Sequence, residues 1–161
     1  MNKEETFIRL IKKNEGIIYK ITKVYTHTSN DQKDLYQEIV YQLWKGFDSF
    51  RGDAKVSTWM YSIALNTALL YSKKEKRRGY NISLDNVFLK EENYDPVLEE
   101  RLKIVYSQIK NLGDIDKGII ILFLEGKKYE EISKITGLTV SNVGTRMGRI
   151  KEKLKTFIIK K

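Results

Sequence analysis

The chain has 161 residues, of which 41% are hydrophobic and 32% charged, with a formal net charge of +9, a pI near 9.5 and a mean hydropathy of −0.46. It contains no Cys, which excludes disulfide scaffolds, thiolate zinc sites and cysteine nucleophiles, and no apolar run approaches the roughly 20 residues that span a bilayer. The excess of Lys and Arg points to a polyanionic partner, because phosphates supply the compensating field.

The start, Met1-Asn2-Lys3-Glu4-Glu5, is too polar and acidic for a signal peptide, so a cytoplasmic chain without membrane insertion is expected. One Pro in the whole chain, and glycines clustered between segments, favour helices. The periodicity predicts a first helix from about Glu4 to Tyr25, burying Phe7, Leu10, Ile17, Ile21 and Val24. A turn at His27–Asn30 follows, with Asp31 as the expected N-cap. The second helix, Gln32 to Phe47, carries two apolar stripes: Leu35, Ile39 and Leu43, then Tyr36, Val40, Trp44 and Phe47. One stripe is enough to pack a surface helix; the second either completes a tight three-helix core or meets a partner.

Arg51-Gly52-Asp53-Ala54-Lys55 reads as a loop. A third helix is expected from Ser57 or Thr58, either of which would cap it, to about Lys76, with Trp59, Ile63 and Leu70 inside. It ends in Lys73-Lys74-Glu75-Lys76-Arg77-Arg78, five positive charges against one negative. Periodicity then fails from Gly79 to Pro96. Asp85 to Glu100 holds six acidic residues and one Lys, a local net of −5. This reads as an acidic, flexible linker between two basic halves.

The second half resumes with Leu98, Leu102, Val105, Ile109 and Leu112 at helical spacing. Another helix runs from Asp114 to Leu124, with Ile115, Ile119, Leu122 and Phe123 inward. Tyr129 to Ile150 then reads as a helix-turn-helix. Ile132 and Ile135 point inward, and Ser133 is small where two helices meet. Gly137 permits the left-handed turn, Leu138 plugs the corner, and Thr139 or Ser141 caps the next helix. Val143, Met147, Ile150 and Leu154 form its buried stripe. The opposite face offers Ser141, Asn142, Thr145, Arg146 and Arg149, short polar and guanidinium groups suited to base edges and phosphates in a major groove. From Gly137 to Lys161, seven Lys or Arg stand against Glu152 alone. On this segment a stand-alone helix-turn-helix transcriptional regulator remains open.

No phosphate-binding glycine loop, Cys/His metal spacing or nucleophile motif is present, so no catalytic residue, metal or cofactor is expected. His27 stands alone in its turn.

The first half bears on the alternatives. Asp34-Leu35-Tyr36-Gln37-Glu38-Ile39-Val40-Tyr41-Gln42-Leu43-Trp44, then Phe50-Arg51-Gly52, then Ser57-Thr58-Trp59-Met60-Tyr61-Ser62-Ile63-Ala64-Leu65-Asn66, resembles the extracytoplasmic-function sigma factors of the sigma-70-like family. Leu124-Glu125-Gly126-Lys127-Lys128-Tyr129-Glu130-Glu131-Ile132 looks like that family's entry to its promoter-reading helix-turn-helix. The resemblance covers nearly the whole chain in order. Gly144 departs from it, lying where many members carry Lys, and Ser133 replaces the common Ala.

The resemblance implies an all-α protein of two small helical domains. Residues 1–78 would be a region 2-like domain for polymerase docking and the −10 element, 79–96 the linker, and 97–161 a region 4-like domain for the −35 element. It implies that Asp34, Gln37, Glu38, Leu43 and Trp44 dock on the clamp helices of the largest subunit of core RNA polymerase. It likewise assigns the −10 element to Arg51, Ser57, Thr58, Trp59, Tyr61 and Asn66, with Lys73, Lys74, Arg77 and Arg78 on phosphates. An opened strand needs stacking surfaces and cations along its backbone; for Trp59, a place in the core competes with stacking. Promoter DNA and core polymerase are then the partners, and an anti-sigma factor is a further one that the resemblance admits.

Overall fold

A computed structural model of the chain describes residues 2–52, 55–78 and 96–159, except for the side chains of 96–102 and 156–159. The described residues form eight α-helices, one 3-10 turn and no strand, as the all-α expectation has it. The acidic stretch 79–95 lies outside them.

The first expected helix is two. α1 spans Lys3–Lys13 and α2 Glu15–Tyr25, with Asn14 between them at φ −121°, ψ 20°. Asn competes with the helix ladder through its own side chain, and here the Asn14 amide donates to the Leu10 carbonyl at 2.9 Å. Gly16, a weak helix former, sits just beyond the break. α3 (Ser29–Gly46) starts earlier than expected because Thr28, not Asp31, caps it: Thr28 Oγ1 accepts from the Asp31 amide at 3.0 Å. A 3-10 turn covers Phe47–Ser49. α4 (Val56–Arg77) begins after Lys55 with no side-chain cap, so neither Ser57 nor Thr58 plays that part.

α2, α3 and α4 enclose the first core. Ile18, Ile21, Val24, Leu35, Ile39, Leu43, Met60 and Ala64 are all fully buried. The inner side of α4 is Met60, Tyr61, Ala64, Leu65 and Ala68; Leu70, expected there, is 63% exposed. Met60, Ala64 and Ala68 recur every four residues on that side, and Leu70 falls off their stripe. His27 is half-buried beside α3, and burial, reinforced by the charges of Lys110 and Lys117, holds its imidazole below the ordinary value.

The second half comprises α5 (Pro96–Lys110), α6 (Asp114–Leu124), α7 (Tyr129–Thr136) and α8 (Val140–Ile159). Ile109, Ile119, Leu122, Ile132, Val143, Met147 and Ile150 form its core, while Val105 and Ile115 from the expected stripes are exposed. Leu98 and Leu102 lie outside the described side chains.

The halves touch through α6, which is buried continuously from Lys117 to Leu122. A helix apolar all round needs cover on more than one side, and the first half supplies it. At Gly118 a Cβ would stand 3.1 Å from Leu65 Cδ2 and 3.3 Å from the Tyr25 hydroxyl, so the missing side chain sets the approach. Polar contacts ring this seam. The Tyr25 hydroxyl donates to the Asp114 carbonyl at 2.5 Å; Ser72 Oγ and Lys76 Nζ donate to Asp114 Oδ2 at 2.8 and 3.0 Å; Lys20 pairs with Glu125. Burial alone would push the Asp114 carboxyl up. The bonds from Ser72 and Lys76, with the charges of Lys117 and Lys76, outweigh it and hold the group below the usual carboxylate range.

Candidate nucleic-acid and docking faces

α3 presents one face to the core and an opposite ridge to solvent. Leu35, Ile39 and Leu43 fill the inner face. Asp34, Gln37, Glu38, Tyr41 and Lys45 stand exposed on the other, at the i, i+3/i+4, i+7, i+11 spacing of one helical face. Gln42 Nε2 donates to Glu38 Oε1 at 3.0 Å, and the Lys45 ammonium lies 5.4 Å from the Tyr41 ring centre. Three of the five expected docking residues, Asp34, Gln37 and Glu38, therefore share an accessible surface. Leu43 belongs to the core instead. Trp44 is half-buried beneath α1, its ring edge-on to Phe7 at 5.0 Å and capped by the Lys3 ammonium at 4.4 Å. Tyr41, 54% exposed, is the aromatic the sequence reading overlooks.

The residues expected at a −10 element fall into three environments. Tyr61 is 1% exposed and is a core residue; burial, then the nearby Glu125, pushes its phenol far up. Arg51, Thr58 and Trp59 line a pocket with Ser49, Phe50 and Ser62. Trp59 stacks on Phe50 at 4.7 Å and is half-buried, a platform partly open at its edge. Ser62, one turn beyond Thr58, belongs with this group although the sequence reading omits it. Lys134 and Ile135 of α7 close the pocket, and Lys127 Nζ donates to Ser57 Oγ at 2.7 Å, so the second half stands over this end of α4. Asn66, Lys73, Lys74, Arg77 and Arg78 are exposed along the rest of α4. Asn66, Lys74 and Arg78 border a groove shared with Asp34, Glu38 and Gln42 of α3.

The helix-turn-helix has the expected geometry. α7 ends at Gly137, whose φ of +80° is the left-handed conformation that glycine adopts without steric cost. Ser133 Oγ donates to the Leu138 carbonyl across the turn, and Thr139 Oγ1 accepts from the Asn142 amide at 3.0 Å, which makes Thr139 the cap of α8. Ser141, Asn142, Thr145 and Arg149 are exposed on α8. Arg146 differs: its guanidinium is engaged by Asp116 at 3.1 Å and by Asn142 at 3.0 Å, with 27% of the side chain exposed. Position 144 faces the Tyr129 ring, where a Cβ would meet Cε2 at an ordinary 3.7 Å, and position 148 has open space. Two mid-helix glycines with room for a methyl cost the helix about 1 kcal/mol each relative to Ala. The double variant Gly144→Ala/Gly148→Ala should therefore melt several degrees higher, as followed by circular dichroism; an unchanged melting temperature would show that α8 is not limiting.

Among the described residues no helix is long and apolar enough to cross a membrane, and no group of acidic or His side chains is placed to hold a metal.

Comparison with known proteins identifies the family. A family profile described as Sigma-70 region 2 matches residues 5–78, and one described as Sigma-70, region 4 matches residues 102–154. The ECF RNA polymerase sigma-E factor of Escherichia coli (strain K12) is 32% identical over 139 residues, 77% of this chain and 72% of that protein. The protein of the same name from Haemophilus influenzae is 32% identical over 145 residues, 80% of this chain and 75% of its own length. Two solved structures share the fold at a TM-score of 0.70 and 18% identity. One is the sigma factor RpoE in complex with the anti-sigma factor NepR from Bartonella quintana, covering 96% of this chain and 95% of that one. The other is CnrH in complex with the cytosolic domain of CnrY, covering 98% and 90%.

Proposed function

The chain belongs to the ECF RNA polymerase sigma factors of the sigma-70 family, and we propose that it divides promoter reading between two helical faces and docks through a third. The observation that carries this is the separation of three chemically distinct surfaces on one all-helical chain. The α3 ridge, Asp34, Gln37, Glu38 and Tyr41, binds core polymerase; it joins charge to an aromatic anchor, the composition of an interface hot spot. The pocket of Arg51, Thr58, Trp59 and Ser62 takes bases of the −10 element, with Ser57 beside it and Asn66 on the groove shared with α3. Lys73, Lys74, Arg77 and Arg78 hold the phosphates of the freed strand. Ser141, Asn142, Thr145, Arg146 and Arg149 meet the −35 element in the major groove.

In the arrangement described, α7 covers the −10 pocket, so reading an opened strand requires α7 to leave Trp59 and Thr58. An anti-sigma factor is a fitting regulator, since the structurally similar RpoE of Bartonella quintana is in complex with the anti-sigma factor NepR. No catalytic step is assigned to the chain. Its work is binding, carried out in the cytoplasm where polymerase and DNA meet. The test is in vitro transcription with purified core polymerase on a randomised promoter library. Core-dependent initiation from a subset of sequences with two separated elements is expected; duplex binding as a dimer on a palindrome, with no effect on initiation, would make the chain a stand-alone regulator.

A further inference from the structure

His27 is the only histidine in the chain, and neither docking nor promoter reading uses it. It lies in the turn between α2 and α3, two residues after Tyr25, whose hydroxyl donates to the Asp114 carbonyl at 2.5 Å. That bond joins the two halves, so His27 stands at the edge of their seam. A cavity there brings His27 together with Asp31, Glu75 and Lys76 of the first half and with Asp114 and Lys117 of the second. Tyr25 and Tyr71 line it with phenol rings. Histidine is the one side chain whose ordinary titration falls between about pH 5 and 8.

The groups around the imidazole divide by the half they belong to. Burial, then Lys110 of α5 and Lys117 of α6, disfavours the imidazolium. Lys117 is confined: it is 8% exposed, with its ammonium 3.7 Å from Asp114 Oδ1 and 5.5 Å from the Tyr25 ring centre. Lys110 is crowded as well, since burial, then Lys23 and Lys117, holds it below the ordinary lysine value. Asp31 favours the imidazolium, but it belongs to α3 and stays with His27 when the halves part. Asp114 accepts from Ser72 and Lys76, and Glu75 stands 3.7 Å from Arg78.

Parting the halves takes Lys110 and Lys117 from the imidazole and rehydrates it, so the open form binds a proton more tightly than the closed one. The closed form then keeps its full stability above the ordinary histidine value near 6.5 and loses stability as pH falls through it. Asp114 does not offset this loss. Despite burial, its bonds to Ser72 and Lys76 hold the carboxyl below the usual range, so it stays ionised while His27 titrates.

We propose that His27 makes the seam an acid-sensitive latch, whose protonation parts the two halves and lifts α7 from the Trp59 pocket. The consequence for promoter reading rests on the assignment of that pocket to the −10 element.

The test labels the full chain with a donor and an acceptor dye at Lys12→Cys and Lys153→Cys, exposed positions on the two halves of a chain without Cys. From about pH 7.5 to about 5.5 the dye separation should lengthen while the helix content by circular dichroism stays the same. Affinity for a fluorescent pool of random single-stranded DNA should rise several-fold over the same interval. His27→Gln should stay closed throughout, and Lys110→Gln should blunt the response. By NMR, the single imidazole should titrate below its ordinary value in the wild type and closer to it in Lys110→Gln. Should His27→Gln fail to fold, the wild-type titration and Lys110→Gln decide. An equal response in wild type and His27→Gln, an unchanged wild-type separation, or an imidazole that titrates at or above its ordinary value would each overturn the proposal. A separation that lengthens with no gain in DNA binding would uphold the latch and remove the pocket from the −10 element.

Discussion

Truncating Tyr41 to Ala should weaken binding to core polymerase by about 2 kcal/mol or more, roughly thirtyfold, without lowering the melting temperature. Its neighbour should behave in the opposite way. Tyr41 is 54% exposed on the α3 ridge, so its removal uncovers little core, whereas Trp44 is half-buried, meets Phe7 at 5.0 Å and lies beneath the Lys3 ammonium. Trp44→Ala removes an aromatic contact between α1 and α3 and should destabilise the fold by about 2–3 kcal/mol, less than the 3–5 of a fully buried ring. Its effect on polymerase affinity should be small once the fraction folded is allowed for. Calorimetric melts and titration of labelled chain with core polymerase separate the two. If Tyr41→Ala binds normally while folded Trp44→Ala does not, docking runs through the seam of α1 and α3 and not along the ridge.

The same pair shows where sequence reading reaches its limit. Asp34, Glu38, Tyr41 and Lys45 follow the spacing that reveals Leu35, Ile39 and Leu43, so the ridge is legible as a face. Tyr41 escapes because α3 and the turn after it offer five large side chains off the main stripe, Tyr36, Val40, Tyr41, Trp44 and Phe47, and spacing alone does not say which of them α1 covers. That depends on the break at Asn14. The non-helical Asn14 lets α1 depart from the line of α2, and Phe7 of α1 lies 5.0 and 5.3 Å from Trp44 and Phe47. The helix-turn-helix is legible almost in full because its determinants are local: a turn glycine, a cap hydroxyl and the stripe of Val143, Met147 and Ile150. The bond between Arg146 and Asp116 spans 30 positions and two helices, and no periodicity announces it. The burial of Lys117 to Leu122 on all sides is written in the sequence as Gly118-Ile119-Ile120-Ile121-Leu122, yet what covers the second side appears only when Gly118 meets Leu65 and Tyr25.

Exchanging Arg149 for Ala should cost roughly 1–3 kcal/mol, five- to 150-fold, at the −35 position it reads, and should leave the −10 preference unchanged. Arg149 is exposed on α8, two turns from Asn142, and unlike Arg146 it is held by no carboxylate among the described residues. Lys155, exposed further along the same helix, should act as a phosphate contact. Lys155→Ala should weaken every −35 sequence alike and reduce the slope of log affinity against log salt by about 1. Thr58→Ala should do the converse of Arg149→Ala, since Thr58 lines the pocket with Trp59 and Ser62 in the other half of the chain. Its loss should blur the −10 preference and spare the −35. The two elements separate in this way because, among the described residues, the pocket around Thr58 is lined by α4, the residues before it and α7, and not by α8. One library randomised at both elements, transcribed by each mutant holoenzyme, reads all three effects at once. An Arg149→Ala holoenzyme that changes its −10 preference and keeps its −35 preference would mean that the two faces have been assigned to the wrong elements.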